Sequence, residues 1–180
     1  QVLINKGDSQ LQKGHLFNAI DFFKSGLTSD TSAHETCLLN ILLGYVYFLN
    51  GNLSKSFEYI TTAGQIAKNS SDSKVNIIVL TIKEFLYVYQ GNYEKAISTF
   101  QDIPSLHEIF LDEHWLSVAY MGQGLAYYYS GEFPNAMNNF EQALDLSKKT
   151  RLEELEAAYL EVMGMAFHDM GNIEKALVCH

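Results

Sequence analysis

The most informative stretch of the chain is Val88-Tyr89-Gln90-Gly91-Asn92-Tyr93, because its glycine recurs at regular steps. The recurring glycines are Gly14, Gly51, Gly91, Gly131 and Gly171, with gaps of 37, 40, 40 and 40 residues. A fixed period in the range of roughly 20 to 50 residues is typical of proteins built from stacked structural repeats. The spacing therefore predicts a repeat protein.

The residues around these glycines predict a pair of helices joined by a tight turn. An apolar helical pattern leads into each of the last four glycines, and a second pattern begins two residues later. Glycine tolerates the left-handed backbone that closes a helix, because it has no Cβ atom. Asn52, Asn92 and Asn172 come next, where a short polar side chain can cap the following helix.

Small and large residues recur in step with the turns. Seven residues before the turn glycine the chain has Gly7, Gly44, Gly124 and Gly164, and five residues after it Ala19, Ser56, Ala96, Ala136 and Ala176. Nine residues after the turn, large side chains recur as Phe23, Ile60, Phe100 and Phe140. Because the distance between packed helices depends on the side chains at the contact, this register predicts closely packed pairs.

This set of spacings resembles the tetratricopeptide repeat over nearly the whole chain, from about Leu3 to His180. The resemblance implies an all-α fold, a right-handed α-solenoid of antiparallel helix pairs with about five repeats, the last one incomplete. We place the repeats at approximately 1–30, 31–70, 71–112, 113–150 and 151–180 of a single domain. Since the last repeat stops within its second helix, we expect a piece of a longer protein. Pins-type adaptors, rapsyn, kinesin light chain and bacterial pheromone receptors have similarly long repeats, and no motif selects one of them.

Repeat three departs from the pattern at two places. Glu84 occupies the position where other repeats have a small residue, so either the helix pair is splayed or the carboxylate reaches solvent. Pro104 has no amide hydrogen and disfavours helix at the residue before it. We therefore expect the second helix of repeat three to end early and residues 103–112 to form an irregular connector.

The composition excludes several classes of protein. The net charge is −9, and no basic patch of the kind that binds nucleic-acid phosphates is present. The acidity indicates a solvated outer surface or, alternatively, a preference for basic partner segments. No apolar run reaches the roughly 18 residues of a membrane span. Cys37 and Cys179 form no disulfide framework, so we expect reduced thiols and an intracellular, cytoplasmic location.

The titratable residues form no pattern that is typical of an enzyme. The pair His107-Glu108 lacks the second histidine of a metalloprotease motif, because Leu111 stands in its place. His107, Glu108, Asp112 and His114 could meet as a metal site, but a solvated acidic turn is the preferred interpretation. We predict no enzyme activity, no metal and no cofactor.

The first helix of each repeat is expected to line the concave wall of the solenoid. In the tetratricopeptide pattern, five positions of this helix face the wall, at 13, 10, 6, 3 and 2 residues before the turn glycine. The resemblance implies these partner-binding residues: Leu38, Ile41, Tyr45, Phe48, Leu49, Ile78, Phe85, Tyr89, Met121, Leu125, Tyr128 and Tyr129. In repeat five the same positions hold Ala158, Glu161, Met165, His168 and Asp169.

These residue types predict a function in protein binding. Surfaces rich in rings and methionine suit an amphipathic helix or an extended apolar peptide. Chaperone-binding relatives use Lys and Asn at these positions, so a chaperone-tail clamp is disfavoured. We therefore predict a scaffold or adaptor whose partner is an apolar or amphipathic protein segment. Three alternatives stay open: a peptide-sensing regulator similar to the pheromone receptors, a surface covered by the protein itself or a second copy, and a purely structural subunit. Some of the residues are expected to be ordinary core.

Overall fold

The computed structural model describes residues 2–28, 30–69, 73–101, 103, 113–150 and 153–179. In these ranges the chain forms helices and no strand. The helices are α1 (Val2–Gln12), α2 (Leu16–Gly26), α3 (Ala33–Leu49), α4 (Leu53–Lys68), α5 (Ser73–Tyr89), α6 (Tyr93–Phe100), α7 (Glu113–Tyr129), α8 (Phe133–Thr150), α9 (Glu153–Asp169) and α10 (Ile173–Cys179). The predicted alternation of long helices and short turns is confirmed.

The five turn glycines all adopt the left-handed backbone that the sequence predicts. Their φ angles lie between 72° at Gly91 and 84° at Gly131. At the third turn the amide of Gly91 donates to the carbonyl of Val88 at 2.9 Å, and the amide of Asn92 donates to that of Tyr87 at 2.8 Å. These bonds satisfy carbonyls that the end of a helix leaves without a partner, so the turn is closed by backbone geometry.

Asparagine caps begin three of the second helices, as predicted. The side-chain oxygens of Asn52, Asn92 and Asn172 accept from the amide three residues later, at 3.1, 3.4 and 3.2 Å. Ser32 caps α3 in the same way, accepting from the amide of Glu35 at 3.3 Å. Each cap supplies a partner for an amide at the start of the helix.

Replacing Asn52 by alanine is expected to lower the free energy of unfolding by about 1 kcal/mol, because the amide of Lys55 loses its cap. Asn52→Asp should keep most of the stability, since a carboxylate also caps. Asn138 is exposed in the middle of α8, so Asn138→Ala is the matched control and should cause no loss. Urea denaturation of the three variants checks this, and equal stability of Asn52→Ala and the unmodified protein would contradict it.

Contacts divide the chain into two compact units, residues 1–86 and residues 87–180. In the first unit, small residues bring paired helices together as predicted. A Cβ atom on Gly7 would lie 2.2 Å from the Phe23 ring, and one on Gly44 would lie 2.5 Å from the Cδ1 atom of Ile60. The hydroxyl of Ser56 also donates to the carbonyl of Gly44 at 2.7 Å. The core of this unit is therefore built on contacts that leave no room for a larger residue.

The second unit repeats this packing with different residues. A Cβ atom on Gly124 in α7 would lie 2.4 Å from two ring carbons of Phe140 in α8. Phe140 is fully buried, within a core cluster that also includes Met163 of α9. The hydroxyls of Ser117 and Tyr159 lie 3.1 Å apart and link α7 to α9. Helices α7, α8 and α9 therefore share one core.

Repeat three differs from its neighbours, as the sequence predicts, but not in every respect. Helix α6 ends at Phe100 after 8 residues, whereas α4 has 16. The connector expected at 103–112 lies, apart from the buried Ile103, outside the described residues. Glu84 is 0% exposed. The alternative in which its carboxylate reaches solvent is therefore wrong, because the side chain is enclosed by the protein.

Candidate functional site

In the first unit, most of the residues predicted to bind a partner keep accessible surface. Tyr45 is 41% exposed and Leu49 is 46% exposed, both on α3. Four other predicted residues are partly buried: Leu38 and Phe48 on α3, and Ile78 and Phe85 on α5. We call Tyr45, Phe48 and Leu49 the α3 patch, since they lie within two turns at the end of one helix.

In the second unit, the exposed members of the prediction are tyrosines. Tyr89 is 62% exposed and Tyr129 is 54% exposed, whereas Leu125 and Tyr128 are partly buried. Both exposed rings stand at the last residue of their helices, α5 and α7.

Two of the predicted residues are part of the core instead. Ile41 is 8% exposed and packs in the cluster that contains Ile60, and Met121 is 4% exposed and packs in the cluster that contains Phe140. Both lie ten residues before a turn glycine, and the core cluster of each includes residues of the second helix of its pair. Neither has the accessible surface that a bound partner would need, so we leave them out of the proposed contact surface.

The tyrosines of the second unit belong to an aromatic network. The Tyr129 ring stacks on Tyr93 with centroids 6.0 Å apart, and meets the edge of Tyr128 at 5.0 Å. Tyr128 also meets Phe133 at 5.9 Å. We call Tyr93, Tyr128, Tyr129 and Phe133 the aromatic network. Tyr93 and Phe133 were not among the residues predicted from the sequence, although both lie two residues after a turn glycine, a position that the period could have revealed.

A pocket of about 350 Å³ lies beside this network. It is lined by Tyr128, Gly164, Met165, His168, Asp169, Ile173, Ala176 and Leu177. Three of these, Met165, His168 and Asp169, were assigned to the inner wall of repeat five from the sequence. The pocket residues of α10 were not assigned to that wall, because α10 is the second helix of its pair. We call this space the α9 pocket.

The polar rim of the α9 pocket is organised by hydrogen bonds to one carboxylate. The Tyr128 hydroxyl donates to Oδ2 of Asp169, and Nδ1 of His168 lies 3.3 Å from Oδ1. The hydrogen bond from Tyr128, and secondly the one from His168, lower the pKa of Asp169 below its usual value. The same bond to Asp169 raises the pKa of Tyr128 to about 12. At neutral pH the pair is therefore a carboxylate and a neutral phenol.

The structure offers little support for other chemistry. Among the described residues, no group of three or more His, Cys, Asp or Glu side chains could hold a metal ion. Of the possible metal set from the sequence, His107, Glu108 and Asp112 lie outside the described residues. Cys37 is buried and its thiol donates to the carbonyl of Ala63 at 3.4 Å, so it packs as a small core residue. No helix in the described ranges is long and apolar enough to cross a membrane.

Comparisons with known proteins agree with this architecture. Residues 85–149 match the family model of the tetratricopeptide repeat. No curated protein matches the sequence. The structure is similar to that of a Rap protein complexed with competence and sporulation factor, with a TM-score of 0.88 and 15% identity over 98% of this chain and 50% of that one.

Two further structures share the fold. Aspartyl phosphate phosphatase F from Bacillus subtilis has a TM-score of 0.83 and 19% identity, over 99% of this chain and 48% of that chain. A signal transduction ATPase with numerous domains and a tetratricopeptide repeat sensor, from Pyrococcus horikoshii, has a TM-score of 0.81 and 18% identity, over 98% of this chain and 28% of that chain. The chain thus spans half or less of the length of these proteins.

The helix-pair repeat extends beyond the range that matches the family model. The matched range contains two of the five turn glycines, and the same helix pair with the same left-handed turn recurs at Gly14, Gly51 and Gly171 outside it. The described residues therefore form an all-α fold of tetratricopeptide-like helix pairs, and residues 85–149 carry the sequence match to that repeat.

Proposed function

We propose that this protein is an adaptor that binds an apolar or amphipathic segment of another protein on the first helices of its repeats. The observation that carries the proposal is the exposure of large side chains at the predicted positions, Tyr45, Leu49, Tyr89 and Tyr129. Tyrosine offers a large contact area at low entropic cost and a hydroxyl that can bond a peptide backbone. Such residues are typical of surfaces that bind peptides.

The two compact units supply two separate tests of this proposal. The double variant Tyr45→Asp/Leu49→Asp changes the α3 patch, and Tyr89→Asp/Tyr129→Asp changes the tyrosines of the second unit. Random short peptides displayed on phage are selected on the unmodified protein and on each variant. Because a charge on a desolvated contact surface opposes binding, we expect enriched peptides to lose at least about tenfold in affinity for one or both variants.

Phe17 provides the matched control, since it is 71% exposed on α2, the second helix of its pair. Phe17→Asp is expected to leave peptide binding unchanged, and circular dichroism should show the same helix content in all variants. If both double variants enrich and bind the same peptides as the unmodified protein, the first helices are not the binding surface.

A second candidate function is that of a regulator that changes shape when it binds a peptide. The similarity to a Rap protein complexed with competence and sporulation factor favours it. For a regulator we expect the enriched peptide to change the radius of gyration in small-angle X-ray scattering, because the ligand selects one conformation. For an adaptor we expect binding without that change.

A further inference from the structure

We propose that a cluster of two lysines and two tyrosines in the first compact unit binds an acidic segment of a partner protein. Its members are Lys24 on α2, Tyr47 on α3, and Lys55 and Tyr59 on α4, and we call them the Tyr47 cluster. The accessible members belong to second helices, whereas the proposed function concerns the first helices. The inference therefore goes beyond the proposed function and does not rest on it.

The ring of Tyr47 brings two ammonium groups together. The Nζ atom of Lys24 lies 5.6 Å from the centroid of this ring, and the Nζ atom of Lys55 lies 5.1 Å from it. The ring of Tyr59 stacks on Tyr47 with centroids 5.4 Å apart and 8° between the planes. Tyr47 is 5% exposed, so it is held in the core while its ring attracts both cations. The two positive charges are thus gathered around a fixed point.

Neither lysine is neutralised by a carboxylate. In the part of the chain that the structure describes, Lys24 and Lys55 form no ion pair. The Tyr47 hydroxyl is the main cause that raises the pKa of Lys24, and the charge of Asp21 makes a smaller contribution, so Lys24 is charged at neutral pH. An aromatic ring attracts an ammonium group through its quadrupole and leaves the net charge in place. Both charges therefore remain for an anionic guest.

Part of this arrangement recurs along the chain and part does not. The recurring part is a lysine four residues after the turn glycine that lies over the ring four residues before it, as in Lys95 with Tyr87 at 5.8 Å and Lys175 with Phe167 at 5.3 Å. We interpret this pair as a support for the turn. The positions equivalent to Tyr59 hold Thr99, Asn139 and Cys179, and those equivalent to Lys24 hold Thr61, Gln101 and Glu141. The second ring and the second lysine are therefore specific to Tyr47, and supporting the turn does not require them.

The two lysines are accessible because of their positions in the repeat. Lys24 stands ten residues after its turn glycine and Lys55 four residues after its own, and both are exposed. The same two positions are also exposed in the interior of the sequence, at Glu141 and Lys95. The accessible surface of the cluster is therefore a property of the repeat rather than of its place in the chain.

The chemistry of the cluster fits an acidic protein segment in an extended conformation. Side chains two residues apart point to the same side of an extended chain, so two acidic residues at this spacing can each approach one lysine. A lysine ammonium is a compact charge on a flexible stem, which suits single carboxylates. Two lysines are fewer than the about four to eight that are typical of segments drawn to anionic membranes. An acidic peptide is therefore the partner that the charges favour.

The test uses a fluorescein-labelled peptide of alternating glutamate and serine, and a second peptide with glutamine in place of glutamate. Because the whole chain carries a net charge of −9, it repels the acidic peptide unless a local basic site holds it. Fluorescence anisotropy at low salt should show a preference for the glutamate peptide of at least about fivefold, which added salt weakens. In Lys24→Gln/Lys55→Gln we expect this preference to fall below about twofold.

Lys6→Gln/Lys68→Gln is the matched control, since it makes the same change in net charge at two exposed lysines of this unit outside the cluster. It should keep the preference, and so should Lys24→Arg/Lys55→Arg, which retains both charges; circular dichroism should show the same helix content throughout. The inference is wrong if the unmodified protein does not prefer the glutamate peptide, or if the two glutamine variants behave alike. The proposed function can fail separately, because its variants on the first helices leave both lysines in place.

Discussion

Replacing Gly124 by alanine is expected to lower the free energy of unfolding by about 3 kcal/mol, the upper range for overpacking one methyl group in a core. The added Cβ atom would lie 2.4 Å from Cδ1 and from Cε1 of Phe140, well inside van der Waals contact. Phe140 is 0% exposed, so its ring has no free space to move into. Urea denaturation followed by circular dichroism measures the loss.

Gly64 supplies the matched control for this prediction. It also lies inside a helix, α4, but among the described residues a Cβ atom there would meet only the Cγ1 atom of Val79, at 3.2 Å. Because alanine favours helix over glycine by up to about 1 kcal/mol, Gly64→Ala should be close to neutral. A smaller side chain in place of the Phe140 ring should relieve the clash in Gly124→Ala. Phe140→Leu is therefore expected to lower the free energy of unfolding less in the Gly124→Ala background than in the unmodified protein. Equal losses for the two glycine variants would contradict the packing argument.

The fold could be predicted from the sequence because its determinants are local and recur. Gly91 and Asn92 specify a turn and a cap from neighbouring residues alone, and the structure confirms both. The pairing of Gly124 with Phe140 is also a matter of register, since the two residues stand at fixed distances on either side of Gly131. Because the turn, the cap and the spacing of glycine and ring occur several times in the chain, several copies support the assignment of helix pairs. A single helix pair would supply only one copy.

The candidate site was less predictable, because exposure depends on how one helix is rotated against its neighbours. The sequence placed Met121 and Tyr129 on the same wall, yet the first is 4% exposed and the second 54% exposed. The α9 pocket depends on a hydrogen bond between Tyr128 and Asp169, which are 41 residues apart. Nothing in the local sequence of either residue indicates that contact, although both positions follow from the period.

Glu84 departs from the repeat pattern in a way that the sequence shows, but the environment of its side chain is visible only in the structure. The period marks the residue as unusual, since Gly44 and Gly124 stand at the equivalent positions. Only the structure shows that the side chain is fully buried, and that neither carboxylate oxygen has a hydrogen-bond partner among the described residues. The hydroxyl of Thr81, one turn earlier on α5, is also buried without a partner in that part of the chain.

Replacing Glu84 by methionine is therefore expected to raise the free energy of unfolding by about 1 to 3 kcal/mol at neutral pH, the cost of a buried polar group without a partner. Methionine has a similar volume and no group that must be hydrogen-bonded, and its flexible chain adapts to the space. Glu94→Met on α6 is the control, because Glu94 is exposed and should gain nothing. A loss of stability in Glu84→Met would mean that the carboxyl group has a stabilising partner.

The pH dependence of stability separates the ionisation of Glu84 from its polarity. Burial raises the pKa of Glu84 well above 4.5, so the folded protein keeps a proton that the unfolded chain releases above that pH. The stabilising contribution of this proton is complete below about pH 4.5 and is lost as the pH rises towards the folded-state pKa, with a slope of up to about 1.4 kcal/mol per pH unit. Glu84→Gln keeps the size and polarity but binds no proton, so its urea midpoint should fall less steeply with pH than that of the unmodified protein. Parallel profiles would show that the carboxyl ionises at the same pH in the folded and unfolded chains, which a fully buried and unpaired glutamate does not do.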